Sequence, residues 1–106
     1  MTISSIYEKP TGAKAQNVDW ITDATPLQEA STIIVQVSIS SAVKLQVTLD
    51  GTNYDYLNEG TALVADSMYR FEIDVDDTMT FNINTDDAAG TTIRYCSIKE
   101  SPAVFT

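Results

Sequence analysis

The sequence predicts an all-β fold: an antiparallel β-sandwich of about six to eight strands, jelly-roll or Ig-like, preceded by an irregular N-terminal arm. Three observations lead there. From Ile33 to Lys99, apolar and polar residues alternate with period two in one segment after another. Short turns rich in Asp, Asn and Gly separate those segments. No window sustains a helical period, because Leu27 to Ala30 is too short to count.

Residues 1–31 are expected to form the arm, with one short strand over Ile3–Tyr7 and then an aperiodic stretch punctuated by Pro10, Gly12 and Pro26. Trp20 and Ile21 are its apolar anchors. A tryptophan in an irregular segment docks either on the edge of its own core or on a neighbouring subunit. The sandwich itself is assigned to residues 32–106, the whole chain making a single domain.

Its first strand carries Ile33, Val35, Val37 and Ile39 on one face, with Ile34, Gln36, Ser38 and Ser40 on the other. After Ser40-Ser41-Ala42 the pattern resumes with Val43, Leu45, Val47 and Leu49 inward and Lys44, Gln46, Thr48 and Asp50 outward. The two strands form a hairpin or bridge two sheets. Asp50-Gly51-Thr52-Asn53 supplies residues that tolerate positive φ or bond their own backbone, so the chain reverses into Tyr54–Leu57. Asn58-Glu59-Gly60 turns it again.

Met68–Val75 follows, with Tyr69, Phe71, Ile73 and Val75 facing inward and Arg70, Glu72 and Asp74 facing water. Asp76-Asp77 connects to Met79–Asn84, and the stretch from Thr85 to Gly90 is the next turn. In the last strand, Thr91–Lys99, strict alternation sets Ile93 and Tyr95 on one face against Arg94, Cys96 and Ile98 on the other. Pro102 ends it by removing a ladder donor.

A chain of 106 residues, 43% apolar and 20% charged, has the composition of one folded domain. Cys96 is the sole cysteine and there is no histidine, which removes internal disulfides, the usual zinc sets and imidazole catalysis. No apolar run is long enough to span a membrane, and the first residues lack a secretory pattern.

The net charge of −9 falls unevenly, with acids crowded between Asp50 and Asp87 and only Arg70 opposing them. That balance repels phosphate backbones and argues against nucleic acid as a partner. It favours solubility at high local concentration.

The candidate chemistries are sparse. Cys96 lies mid-strand without a base to activate it. The carboxylates fall on turns and outward faces, where nothing raises a pKa for glycoside hydrolysis. Asp74, Asp76 and Asp77, or Asp86 and Asp87, carry oxygens of the kind calcium takes, but their spacing matches no EF-hand loop and turn chemistry accounts for them. The expected catalytic residues, metal ligands and cofactors are therefore none. Tyr54 and Tyr56 share one face of a short strand. They either cover the open end of the sandwich or, with Trp20, form a stacking platform. The candidate interface residues are Trp20, Ile21, Tyr54 and Tyr56.

Four runs occur in order between Val43 and Glu100: Val47-Thr48-Leu49-Asp50-Gly51-Thr52-Asn53-Tyr54, Leu57-Asn58-Glu59-Gly60-Thr61-Ala62-Leu63, Met68-Tyr69-Arg70-Phe71-Glu72-Ile73-Asp74-Val75 and Phe81-Asn82-Ile83. This stretch, a little over half the chain, resembles small β-sandwich virion proteins of tailed bacteriophages, of the head-decoration or cement kind. The resemblance implies a non-enzymatic structural protein, made in the host cytoplasm and displayed in many copies on the capsid surface. It implies the major capsid protein or another virion protein as partner, and a homo-oligomer, for which a trimer is one arrangement. A head–tail or tail structural component is a related expectation. The rival from another class is a carbohydrate-binding module or host-recognition fibre component using Trp20, Tyr54 and Tyr56. A small hydrolase is the weakest reading.

Overall fold

The computed structural model describes residues 5–22, 30–76 and 78–102. They form two antiparallel sheets packed face to face. The larger sheet contains β1 (Ser5–Glu8), β2 (Gly12–Lys14), β3 (Ala30–Ile39), β6 (Tyr69–Asp74) and β8 (Thr91–Pro102), in the order β1-β8-β3-β6, with β2 on the same edge of β8 as β1. The smaller sheet is β5 (Tyr54–Tyr56), β4 (Leu45–Thr48) and β7 (Asn82–Thr85), with β4 in the middle. The first two residues of the expected Ile3–Tyr7 strand, the stretch 27–29, Asp77 and residues 103–106 lie outside the described residues.

The period-two pattern places the core. Ile33, Val35, Val37 and Ile39 of β3 are fully buried, as are Leu45 of β4, Ile83 of β7 and Phe81 just before it. Burying side chains of this size contributes roughly 1.5–3 kcal/mol each. On β6 the pleat is equally regular: Arg70, Glu72 and Asp74 are exposed, while Tyr69, Phe71 and Ile73 are half-buried. Tyr69 and Phe71 stack with ring centroids 6.0 Å apart.

In β8 the strict alternation fails. Ile93 lies opposite Ile39, Cys96 opposite Val37 and Ile98 opposite Val35, so all three face the core. Ser38 pairs with Tyr95 and the next residue, Ile39, with Ile93, which leaves Arg94 as an extra residue in a β-bulge. One added residue reverses the facing of everything beyond it. Tyr95 is consequently exposed, and Arg94 meets Asp66 at 3.1 Å across an exposed pair.

The first segment is built into the sandwich instead of hanging from it as an arm. β1 and β2 pair along successive lengths of β8, after which the chain crosses to the smaller sheet. Residues 16–21 then run beside β7 as a strap: Asn17 N–H donates to the Thr85 carbonyl at 2.7 Å, and Trp20 N–H to that of Ile83 at 2.8 Å. The side chain of Asn82 grips Ile21 from both ends, accepting from its N–H at 3.1 Å and donating to its carbonyl at 3.0 Å. A strap that can lose its tryptophan to the core gains more by docking than by remaining solvated, and here Trp20 is 3% and Ile21 4% exposed.

Counting the strap as a strand, β1-β8-β3-β6 faces strap-β7-β4-β5, which is the interleaving of a jelly roll and differs from the Ig order. β3 and β4 therefore bridge the two sheets and do not pair as a hairpin. The connection from β5 to β6 also belongs to the core. After a 3-10 turn at Asn58–Gly60, Leu63 N–H donates to the Val43 carbonyl at 2.9 Å, and Leu57 and Leu63 are buried.

Candidate functional site

The outer face of the smaller sheet holds the densest set of polar side chains. Pairing in register aligns Tyr56, Gln46 and Asn84 in one row and Tyr54, Thr48 and Asn82 in the next. Because outward residues alternate on each strand, Gln46 on β4 and Asn84 on β7 are neighbours, and Gln46 Nε2 donates to Asn84 Oδ1 at 2.7 Å. The strap supplies the remaining partners. Gln46 Nε2 reaches Asn17 Oδ1 at 3.2 Å, and Asn84 Nδ2 donates to Asp19 Oδ1 at 2.9 Å.

The two tyrosines complete the array. Tyr54 Oη donates to the Asp19 carboxylate at 3.0 and 3.2 Å. Tyr56 Oη donates to Asp86 Oδ2 at 2.5 Å. Burial, followed by the bond to Asp19, pushes the Tyr54 phenol above its ordinary pKa. For Tyr56 the bond to Asp86 is the main cause, with that carboxylate's charge behind it. Both phenols are thus held as proton donors at neutral pH. The Tyr56 ring, 49% exposed, has the Lys44 ammonium 5.4 Å from its centroid.

The turn from β4 to β5 is fixed by Asp50. Its carboxylate accepts from the N–H groups of Asn53 and Thr52, both at 2.8 Å, and from Asn53 Nδ2 at 2.8 Å and Thr48 Oγ1 at 3.0 Å. Those donors, the Asn53 and Thr52 backbone first, hold its pKa well below the usual carboxylate range. Asp76 does the same in a smaller way, its carboxyl lowered by the hydroxyl and N–H of Thr78. Asp87 Oδ1 accepts from Ala89 N–H at 2.9 Å. Of the acids considered for calcium, Asp76 and Asp87 act as turn formers, Asp86 accepts from Tyr56 and Asp74 stands exposed on β6, while Asp77 lies outside the described residues. Among the described residues, no three acids or cysteines gather in a metal-holding group.

Of the four residues singled out from sequence, Trp20 and Ile21 are in the core of their own domain. A platform joining Trp20 to Tyr54 and Tyr56 is not assembled, because Asp19 meets Tyr54 on the outer face of the smaller sheet while Trp20 is buried in the core. Tyr54 and Tyr56 do share one face. Sequence reasoning missed Asp19, Asn17 and Asn84. The outward polar set Gln46, Asn82 and Asn84 was a legible signal, but the strap that meets it comes from a stretch with no period. Cys96 is buried, and burial pushes its thiol up to about 12, so it remains protonated and unreactive at neutral pH.

Comparison with protein-family models, with curated proteins and with solved structures finds no match.

Proposed function

We propose that this chain is a non-enzymatic structural module of a tailed-phage virion, a decoration protein that binds the capsid surface in many copies. The observation that carries the reading is the engagement of its polar side chains. The groups that would have to act in a reaction, namely the Tyr54 and Tyr56 phenols and the Asp19, Asp50 and Asp86 carboxylates, are bonded to one another or to turn backbone. They tie strap and turns to the sheet. Outside that network stands a solvated charged exterior, including the Arg70, Glu72 and Asp74 pleat. A stiff sandwich with an acidic coat remains soluble when crowded, and binding at many equivalent sites multiplies contacts that are individually weak. The resemblance of the 43–100 stretch to virion proteins supports the same assignment.

Jelly rolls also house lectins, so fold alone is an analogy that serves both readings. A glycan-binding role rests on the exposed Tyr56 ring beside Gln46 and Lys44. It is the second reading, because Lys44 already lies over that ring and the phenol is bonded to Asp86.

The test is co-expression with a tailed-phage major capsid protein from the genome that encodes this chain, followed by sedimentation of assembled shells. Saturable co-sedimentation in many copies per shell is expected. Shells that sediment without the protein, together with selective signal on a glycan array, would replace the proposal by the second reading.

A further inference from the structure

The two seams of the sandwich are finished differently. On one side, the strap pairs with edge strand β7 and drives Trp20 and Ile21 between the sheets. On the other side, edge strands β5 and β6 face each other with no strand between them among the described residues. A cleft of about 310 Å³ opens there, floored by Val47, Leu49 and Leu57 with Ile73 on its wall. Half-buried apolar side chains continue along this seam, from Phe71 and Ile73 to Val75. The outer edge of β6 has no backbone hydrogen-bond partner among the described residues.

Carboxylates predominate around the opening. Asp50 and Asp55 line the cleft, and Glu72, Asp74 and Asp76 stand exposed nearby on β6 and just beyond it. Of the cations nearby, Arg70 is paired with Glu72 at 3.1 Å and Lys44 lies over the Tyr56 ring. Asp55 pairs in register with the core-facing Val47, which directs it to the mouth of the cleft. An inward acid on an edge strand discourages pairing with another acidic edge, a second copy of this chain included. Glu72 and Asp74, on the outer face of the edge strand β6, attract a cationic one.

We propose that the β5–β6 seam is a docking site for an extended segment of a partner protein that alternates basic and apolar residues. Its backbone pairs with the free edge of β6, its apolar side chains enter the cleft as Trp20 and Ile21 enter the opposite seam, and its basic side chains, alternating to the outer face, lie beside Glu72 and Asp74. This inference does not depend on the virion assignment, since it names only the chemistry of the segment.

The probe is a short peptide of alternating lysine and valine, measured by fluorescence polarisation and by amide shifts in NMR. Controls are a lysine–serine peptide of equal charge and a glutamate–valine peptide. Binding of the lysine–valine peptide at least roughly tenfold tighter than either control is expected, equivalent to about 1.4 kcal/mol, with shifts concentrated on residues 69–74 and 54–57. Asp74→Lys, an exposed substitution on β6, should remove most of that affinity while leaving the urea midpoint unchanged. Equal binding of the lysine–serine peptide would reduce the effect to unspecific charge attraction and overturn the proposal. Unaltered affinity in Asp74→Lys, shifts on other strands, or self-association that protects residues 69–74 would overturn it too.

Discussion

Truncating Trp20 tests whether residues 5–22 are part of the sandwich. The indole is 3% exposed and its backbone N–H bonds to Ile83 at 2.8 Å, so Trp20→Ala would leave a cavity between the sheets that the bonded strap cannot follow inward. Replacing a buried tryptophan by alanine costs about 3–5 kcal/mol. One term pulls the value toward the lower end: Trp20 Nε1 is buried without a partner, and such a group costs about 1–3 kcal/mol to bury. A loss of about 3 kcal/mol is therefore expected, a large part of the total stability of about 5–15 kcal/mol typical of a domain. Trp20→Phe, which keeps a ring and removes the orphan N–H, should lose clearly less. Since Trp20 is the sole tryptophan, the assay is urea unfolding followed by far-UV circular dichroism instead of fluorescence. A loss below about 0.5 kcal/mol for Trp20→Ala, the range of an ordinary surface change, would refute the docked strap.

Further outcomes follow from the turns and the core. Gly90 has φ +69° and an added Cβ would run into the Lys14 carbonyl oxygen, whereas Gly51, at φ +81°, has open space around it. Gly51→Ala should cost about 1–2 kcal/mol from backbone strain alone, and Gly90→Ala visibly more in the urea midpoint; equal losses would contradict the β2 contact. Asp50 and Asp76 have folded pKa values below their unfolded ones, so their contribution is present above about pH 4 and is lost as pH falls below it. Asp50→Asn should flatten that acid limb of a midpoint-against-pH plot, and an unchanged limb would remove Asp50 from the explanation. Tyr54 and Tyr56 have raised pKa values, which reverses the sign: their contribution is complete below about pH 10 and fades as pH climbs through the folded values. The Cys96 thiol, pushed up to about 12 by burial, should resist a thiol-reactive disulfide reagent at pH 8 until denaturant unfolds the chain. Labelling of the native protein at the rate of a free thiol would show that Val37 and Ile98 do not cover it.

Period-two alternation determined most of the fold. Each side chain on a strand points opposite to its neighbours, so Ile33-Val35-Val37-Ile39 or Arg70-Glu72-Asp74 can be assigned to a face without knowing what lies across the sheet. Asp50-Gly51-Thr52-Asn53 was equally legible, because its hydrogen bonds close within a few residues. Tertiary structure decided everything that depends on partners distant in sequence. The Arg94 bulge is a property of how β8 fits β3, and local sequence gives no sign of the extra residue that turns Cys96 and Ile98 to the same side as Ile93. The strap's place was hidden for a related reason: residues 16–21 have no period of their own and are ordered by bonds to Ile83, Asn82 and Thr85, more than sixty residues later. Tyr54 and Tyr56 could be placed on one face from spacing alone. That one phenol meets Asp19 and that Trp20 turns away from both was set only when the strap closed against β7, and that the other meets Asp86 was set by β4 pairing with β5 and β7.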